Sequence, residues 1–476
     1  MPAERAGSIA VAAGVEVGES RRGCGFYTRF SMSYASAIEK LGALSPELHT
    51  KPGQTRRKFS LDEMRVLLGA LGNPEHRFRS VLIAGTNGKG STAATLASIL
   101  GASGIRTGLY TSPHLSRINE RIRVDGVEIS DEAFGDLYFQ VEGAARELVR
   151  CGALPQTPSF FEFITAIGFL HFAACGIEAA VLEVGMGGRL DATSVVEPLI
   201  SVITDISLDH TEWLGSTISA IAREKAGILR RNGTLVTLAQ HPEANQTLGE
   251  VAAELGVRGV NAGVYMPMGA VARGGSYTVE VAGEAIEIDS PLGGVHQHRN
   301  IALALAAAEE LREKFGFPVT ANSIAEGVRG TRWPGRLERL ERNGLTWVLD
   351  VAHNAAGAWA LRAGIAAGFG DSHPRILVFS CLRDKPLDEM AQILFPEFDQ
   401  VIFAPIESPR ATSLADLLKA AEAVGSSAVA VGSVAEALDR ADRDCGDGVV
   451  VVSGSVYLVG EARSILIAEK GPSLEP

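Results

Sequence analysis

The chain has 476 residues, 46% hydrophobic and 21% charged, which is an ordinary globular composition with enough apolar mass for two or three domains. Its net charge of −12, without any basic block, argues against a general nucleic-acid binder. Five scattered cysteines with no C-x-x-C pair fit a reducing cytoplasm and neither a disulfide framework nor a zinc site, and no apolar run reaches membrane-spanning length.

Residues 1–31 lack a periodic face and are expected to form a disordered extension, with Met32 a natural start. Residues 32–41 and 59–68 read as amphipathic helices, the second capped by Ser60 with Glu63 three residues on. The apolar run 81–84 then reads as a buried strand of a parallel sheet. Residues 85–91, Gly-Thr-Asn-Gly-Lys-Gly-Ser, follow it and lead into a helix-like stretch from Thr92. Gly85, Gly88 and Gly90 let backbone N–H groups approach a polyphosphate at a helix N-terminus, Lys89 brings a cation, and Ser91 brings a hydroxyl suited to Mg²⁺. The spelling departs from G-x-x-x-x-G-K-[ST]: only two residues separate Gly85 from Gly88, and Gly90 stands between Lys89 and the hydroxyl residue. A strand before, a helix after, and Lys plus Ser within outweigh the alternative of an ordinary surface turn.

Residues 107–115 read as a strand ending in a polar turn, which places Ser112 and His114 where ligands gather in open α/β sheets. His114 reads equally well as a loop histidine with one local hydrogen bond. Residues 118–129 alternate around an Asp-Gly turn, the pattern of a hairpin. A long apolar helix runs from Thr157 to about Cys175; the adjacent Phe160 and Phe161 cannot share one of its faces, so one of them could line a pocket. The strand at 177–183 ends in Glu183, a hard oxygen suited to a nucleotide-bound Mg²⁺. A glycine-dense stretch bearing Arg189 and Asp191 follows, then a strand at 199–204 leading to His210, then a helix at 220–228 with Lys225 near its end. A lone His or Lys in such places is usually structural; Glu183, His210 and Lys225 together after one phosphate loop point to a metal cluster. Residues 277–288 suggest an antiparallel excursion, and His296 starts a helix carrying Asn300. Residues 329–336 break the periodicity as a linker. Strands at 346–350, 375–379, 400–403 and 448–452 then build a second α/β unit. The expected organisation is the extension 1–31, an α/β P-loop ATPase-like parallel-sheet domain at 32–330, and a smaller Rossmann-like α/β domain at 331–476.

Seven segments occur in order: Gly-Thr-Asn-Gly-Lys-Gly-Ser at 85–91, Thr-Ser-Pro-His-Leu at 111–115, Asn-Glu-Arg-Ile at 119–122, Glu-Val-Gly-Met-Gly-Gly-Arg-Leu-Asp-Ala-Thr at 183–193, Asp-His at 209–210, Glu-Lys-Ala-Gly at 224–227 and Asp-Val-Ala-His-Asn at 350–354. Together they resemble folylpolyglutamate synthase, bifunctional in its bacterial form with dihydrofolate synthase, of the Mur ligase superfamily. Two positions depart from the pattern: Ala355 stands where proline is common, and Ser194 where asparagine is frequent.

The resemblance implies transfer of the ATP γ-phosphoryl to a carboxylate, giving an acyl phosphate that the amino group of glutamate attacks. Lys89, Glu183, His210 and Lys225 would carry the chemistry. One Mg²⁺ would bind Ser91, Ser112 and Glu183; a second would bind Glu183, His210 and a carbamylated Lys225. ATP would contact Gly88, Lys89, Gly90, Ser91 and Thr92, with Asn300 at the adenine, Arg336 at the phosphates, Asp350 near the ribose, and His353. The pterin side would comprise Ser159, Phe160, Phe161, Glu162, Leu190, Asp191 and Ala192. The expected substrates are a folate or dihydropteroate together with glutamate, handled by a cytoplasmic monomer without nucleic-acid or membrane partners. Two other readings compete. A cell-wall Mur ligase would need a UDP-binding domain, yet only residues 32–84 precede the loop. A P-loop switch protein would show an N-K-x-D base-reading motif, which is absent, and would leave the second unit without a role.

Overall fold

A computed structural model describes residues 33–44, 60–268 and 276–468; the expected extension 1–31 lies outside the described residues. Helix α1 (Tyr34–Ala43) starts at the Ser33 hydroxyl, which accepts the Ser36 N–H, and buries Ala37 and Leu41. Helix α2 (Leu61–Ala70) is capped by Ser60, whose hydroxyl accepts from Asp62 N–H, one residue before the position the expected box with Glu63 would use.

Strand β1 (Arg79–Ala84) runs into helix α3 (Lys89–Ala102), followed by β2 (Thr107–Tyr110), the short hairpin β3 (Ile122–Val124) and β4 (Val127–Glu128), α4 (Asp131–Arg150) and α5 (Phe160–Cys175). Then come β5 (Ala179–Glu183), β6 (Ile200–Ile203), α6 (Thr211–Leu214), α7 (Ile218–Ala226), β7 (Thr234–Thr237), α8 (Pro242–Leu255) and β8 (Arg258–Asn261). These eight strands form one sheet in the order β4-β3-β2-β5-β1-β6-β7-β8. It is parallel from β2 to β8, with β3 and β4 antiparallel at one edge. Helices α4, α5 and α7 cover one face. The other face is covered by α3 together with α9 (His296–Phe315) and α10 (Ala321–Gly330), which follow the hairpin of β9 (Tyr277–Val281) and β10 (Glu284–Ile288). Burial on both faces is why β1, β5 and β6 read as unbroken apolar runs.

The second sheet is built from β11 (Glu338–Arg342), β12 (Leu345–Leu349), α11 (Ala355–Phe369), β13 (Arg375–Phe379), α12 (Leu387–Leu394), β14 (Gln400–Phe403), α13 (Leu414–Ala423), β15 (Ala428–Ala430), α14 (Val434–Cys445), β16 (Val449–Ser453) and α15 (Val456–Ala468). Its order is β11-β12-β16-β13-β14-β15, parallel except for β11. Helices α11, α12 and α13 pack on one face and α14 and α15 on the other. The two sheets meet directly: Gly460 of α15 lies against the Leu115 carbonyl, and Ser116 Oγ donates to Gly460 O at 3.3 Å. Among the described residues, no helix is long and apolar enough to cross a membrane.

Candidate active site

The carboxyl ends of β2, β5, β1 and β6, adjacent in the sheet, deliver the candidate residues to one edge. The loop after β1 is held by its neighbour: Thr86 and Asn87 N–H donate to Asp205 O at 2.8 and 3.2 Å, and Thr204 Oγ1 donates to Asn87 O at 2.7 Å. Gly88 caps α3 in the left-handed region (φ 86°), and any Cβ there would collide with the Asn300 amide. Asn300 therefore sits against the loop backbone, its own amide donating to Gln297 Oε1 at 2.7 Å. Ser91 and Thr92 are buried in the first turn of α3, the Thr92 hydroxyl without a hydrogen-bond partner among the described residues.

Lys89 Nζ donates to Thr86 O at 3.3 Å and lies 4.0 Å from Glu183 Oε1. Glu183, 4% exposed at the end of β5, accepts Ser112 N–H through its other oxygen at 3.1 Å. Burial pushes its carboxyl above the usual range, against the pull of Lys89. Lys225, on α7 and equally buried, donates to Gly85 O at 2.6 Å. Burial first, and then the charge of Lys89, pull its pKa down to about 7. His210 caps α6 in the left-handed region (φ 50°), and burial takes its pKa down to about 4 despite neighbouring Asp209, so it is a neutral imidazole. Lys89, Glu183, Ser112, Lys225 and His210 are thus gathered around the phosphate loop. Among the described residues, no three His, Cys, Asp or Glu side chains make a ready metal cage, so a cation here would need the serine and lysine donors as well.

The second unit faces this edge. Arg336 is half-buried, and its charge is felt by both Asp350 and Glu183. Asp350 accepts Leu337 N–H at 3.0 Å and Ala352 N–H at 2.9 Å, which fixes the turn after β12. His353 Nε2 stands 3.7 Å from Asp209. Asp209 is the hub of the junction: its half-buried carboxylate takes Lys385 Nζ at 2.8 Å and Asn354 Nδ2 at 3.4 Å. Burial works against its ionisation, yet His353 and Lys385 together hold it below the usual carboxylate range. Asn354 also donates to Asn87 Oδ1 in the phosphate loop at 3.0 Å, while its own Oδ1 accepts Gly357 N–H at 2.8 Å as the cap of α11. Lys385 was missed by the sequence reading, although it follows β13 at the same kind of strand end that singled out Ser112 and Glu183.

On the opposite side, Ser159 and Glu162 cap α5 reciprocally, with Ser159 N–H donating to Glu162 Oε2 at 2.6 Å. Phe161 is core, edge-on to Tyr110 with centroids 6.0 Å apart. Phe160 is half-buried under the Arg121 guanidinium at 5.3 Å, and so is the aromatic of the pair nearer the surface. Arg121 Nε donates to His114 Nδ1 at 2.9 Å; burial takes His114 down to about 4, leaving a neutral acceptor. Asp191 is buried and accepts Met186 N–H at 3.0 Å, Thr193 N–H at 3.0 Å and Thr193 Oγ1 at 2.6 Å. It shapes the glycine-rich loop between half-exposed Leu190 and buried Ala192.

Residues 83–308 match the Mur ligase middle domain, and residues 335–456 match the Mur ligase glutamate ligase domain. The chain is 35% identical over 448 residues to folylpolyglutamate synthase of Lacticaseibacillus casei, covering 92% of this chain and 100% of that one. It is likewise 35% identical over 419 residues to dihydrofolate synthase/folylpolyglutamate synthase of Bacillus subtilis, covering 86% and 95%. Its structure is similar to Mycobacterium tuberculosis folylpolyglutamate synthase complexed with ADP and AMPPCP, at TM-score 0.81 and 33% identity over 93% and 99% of the two chains. A similar match (TM-score 0.79, 30% identity, 92% and 99% coverage) is found to E. coli FolC in complex with DHPP and ADP.

Proposed function

The chain belongs to the folylpolyglutamate synthase/dihydrofolate synthase family of Mur ligases and is an ATP-dependent ligase that adds glutamate to folate; we propose that it works through an acyl phosphate formed over the Lys89 loop. The observation supporting this route is Lys89 standing 4.0 Å from buried Glu183, with Lys225 on the Gly85 carbonyl of the same loop and the charge of Arg336 also acting on Glu183. A substrate carboxylate oxygen takes the γ-phosphoryl of ATP, and the bond to the leaving ADP breaks. The glutamate amine then attacks the acyl carbon and loses a proton, and inorganic phosphate departs with the C–O electron pair. Such transfers need alignment and charge neutralisation more than a protein nucleophile. Lys89 and Arg336 supply fixed positive charge, and the Gly88 turn supplies backbone donors at the N-terminus of α3.

The donor chemistry fits Mg²⁺. Ser91, Ser112 and Glu183 would hold one ion, and Glu183, His210 and a carbamylated Lys225 a second. When bound, these ions neutralise polyphosphate charge and polarise phosphoryl oxygens. An ammonium cannot ligate a cation, but a buried amine with a pKa of about 7 is substantially neutral near pH 7. It can therefore attack CO₂ and lose a proton to become an oxygen donor. Around the acceptor, Phe160 stacks on the pterin ring, and Ser159, Phe161, Glu162, Leu190, Asp191 and Ala192 shape its surroundings. Asn300, Asp350 and His353 complete the nucleotide site, so residues 32–330 and 331–476 act as two cooperating domains within a monomer. Dihydropteroate is a second acceptor, as the bifunctional relatives' names support.

The test is to incubate the full-length protein with ATP, Mg²⁺ and glutamate plus either tetrahydrofolate or dihydropteroate. Stoichiometric ADP and a product heavier by one glutamyl unit are expected with each. Failure to form product with dihydropteroate would remove the second acceptor, and failure with both would end the reading.

A further inference from the structure

Gly90, one of the two departures of the phosphate loop from its usual spelling, is explained by a residue far along the chain. It is the second residue of α3, with helical backbone, where alanine would be the better helix former. Space forbids it: a Cβ on Gly90 would lie 2.7 Å from Trp333 Cζ2 and 3.1 Å from Cε2 and Nε1. Trp333 belongs to the segment 331–337 that carries the chain from α10 into β11, and so from one sheet to the other. Its indole packs against the apolar cluster of α3 and α9, with the Arg123 guanidinium 5.8 Å from the ring. Immediately beyond, Gly335 O accepts Val351 N–H at 3.0 Å, and Leu337 N–H donates to Asp350 at 3.0 Å. The crossing segment is therefore seated on the phosphate loop at one end and on the turn after β12 at the other, with Arg336 held between.

We propose that Trp333 is a positioning residue that keys the crossing segment onto the nucleotide loop, so that Arg336 reaches the phosphates in register with the first turn of α3. Glycine at position 90 is the complement of that indole. The inference rests on the reading of this loop as the ATP site.

The test is a double-mutant cycle in the full-length protein, read as affinity for a non-hydrolysable ATP analogue by calorimetry and as kcat and KM for ATP. Gly90→Ala should weaken analogue binding by about tenfold, a coupling of the size found between residues in contact. Adding Trp333→Ala should bring the affinity back to within about threefold of Trp333→Ala alone, because the methyl group then enters vacated space. Trp333→Phe should tolerate Gly90→Ala to an intermediate degree, which keeps the test open should the alanine variant fold poorly. Trp333→Ala should also lower kcat in the wild-type background but not in an Arg336→Ala background. A silent Gly90→Ala, or a double variant as weak as the product of the two single effects, would overturn the proposal. The underlying reading fails separately: if Lys89→Ala bound the analogue as tightly as wild type, the loop would not be the ATP site.

Discussion

Lys225 is a residue whose surroundings decide its chemistry. It is 4% exposed, donates to the Gly85 carbonyl at 2.6 Å, and stands near enough to Lys89 to be destabilised as a cation. If it works as a carbamate, Lys225→Ala should be nearly inactive, and formate or acetate should partly restore turnover by filling the vacated ligand position. Rescue by small amines in place of acids would identify a working ammonium. Lys89 makes a simpler case, because its charged end faces Glu183 and the loop and supports little packing. Lys89→Ala should keep a wild-type circular dichroism spectrum while turnover at saturating ATP falls by about a hundredfold or more, the scale of removing one fixed charge-stabilising group. That Glu183 and Ser112 lie on one edge of the sheet was legible in sequence, because each lies at or just after a strand end and the strand ends of such sheets gather on one side. The partnership of Asp209 with Lys385 was not, because it joins residues 176 positions apart in different sheets, and nothing local in either segment announces the other.

Helices α3 and α10 show what close approach requires at the level of elements. A Cβ on Gly327 would run into the backbone of Ile99, and Ser98 Oγ donates to Gly327 O at 2.6 Å, so the two helices cross on a glycine. Gly330, one turn on, would place its Cβ 3.4 Å from Ser98 Oγ, a distance a flexible hydroxyl can absorb. Gly327→Ala should therefore cost about 1–3 kcal/mol in denaturant unfolding, as overpacking does. Gly330→Ala should stay within about 0.5 kcal/mol of wild type. Equal effects would mean the crossing is looser than it looks. The central strands were readable because both their faces are buried. Two edge strands were not: β11 reads Glu-Arg-Leu-Glu-Arg and β8 reads Arg-Gly-Val-Asn, half-exposed segments whose pairing is set by neighbours rather than by their own pattern.

At the scale of the whole molecule, two α/β units of familiar type were expected from alternating apolar runs and helical stretches, and both are present as separate sheets. How they meet was not readable, since the joint includes polar contacts between residues far apart in the chain: Asp209 with Lys385 at 2.8 Å, Asn354 with Asn87 at 3.0 Å, and Ser116 with Gly460 at 3.3 Å. Arg336 lies in the crossing segment and Asp350 and His353 lie beyond it, so residues 1–330 alone should give no ligated product even if they retain weak nucleotide binding. Full-rate ligation by that fragment would show that the second unit is dispensable for the chemistry.

Asn354 divides two duties between the two ends of one amide. Its oxygen starts a helix and its nitrogen reaches the phosphate loop and Asp209. Hydrolysis of that amide, the slow ageing reaction that turns asparagine into aspartate, would exchange a single nitrogen for oxygen. The helix would keep its cap, because a carboxylate serves as well there. The joint would lose its donor and gain a negative charge facing another. Asn354→Asp mimics this and should leave the helix content by circular dichroism nearly unchanged while lowering kcat/KM. Preparations that have aged at this position would thus keep their helices while the joint between the two sheets loosens, and the loss would register most clearly in turnover.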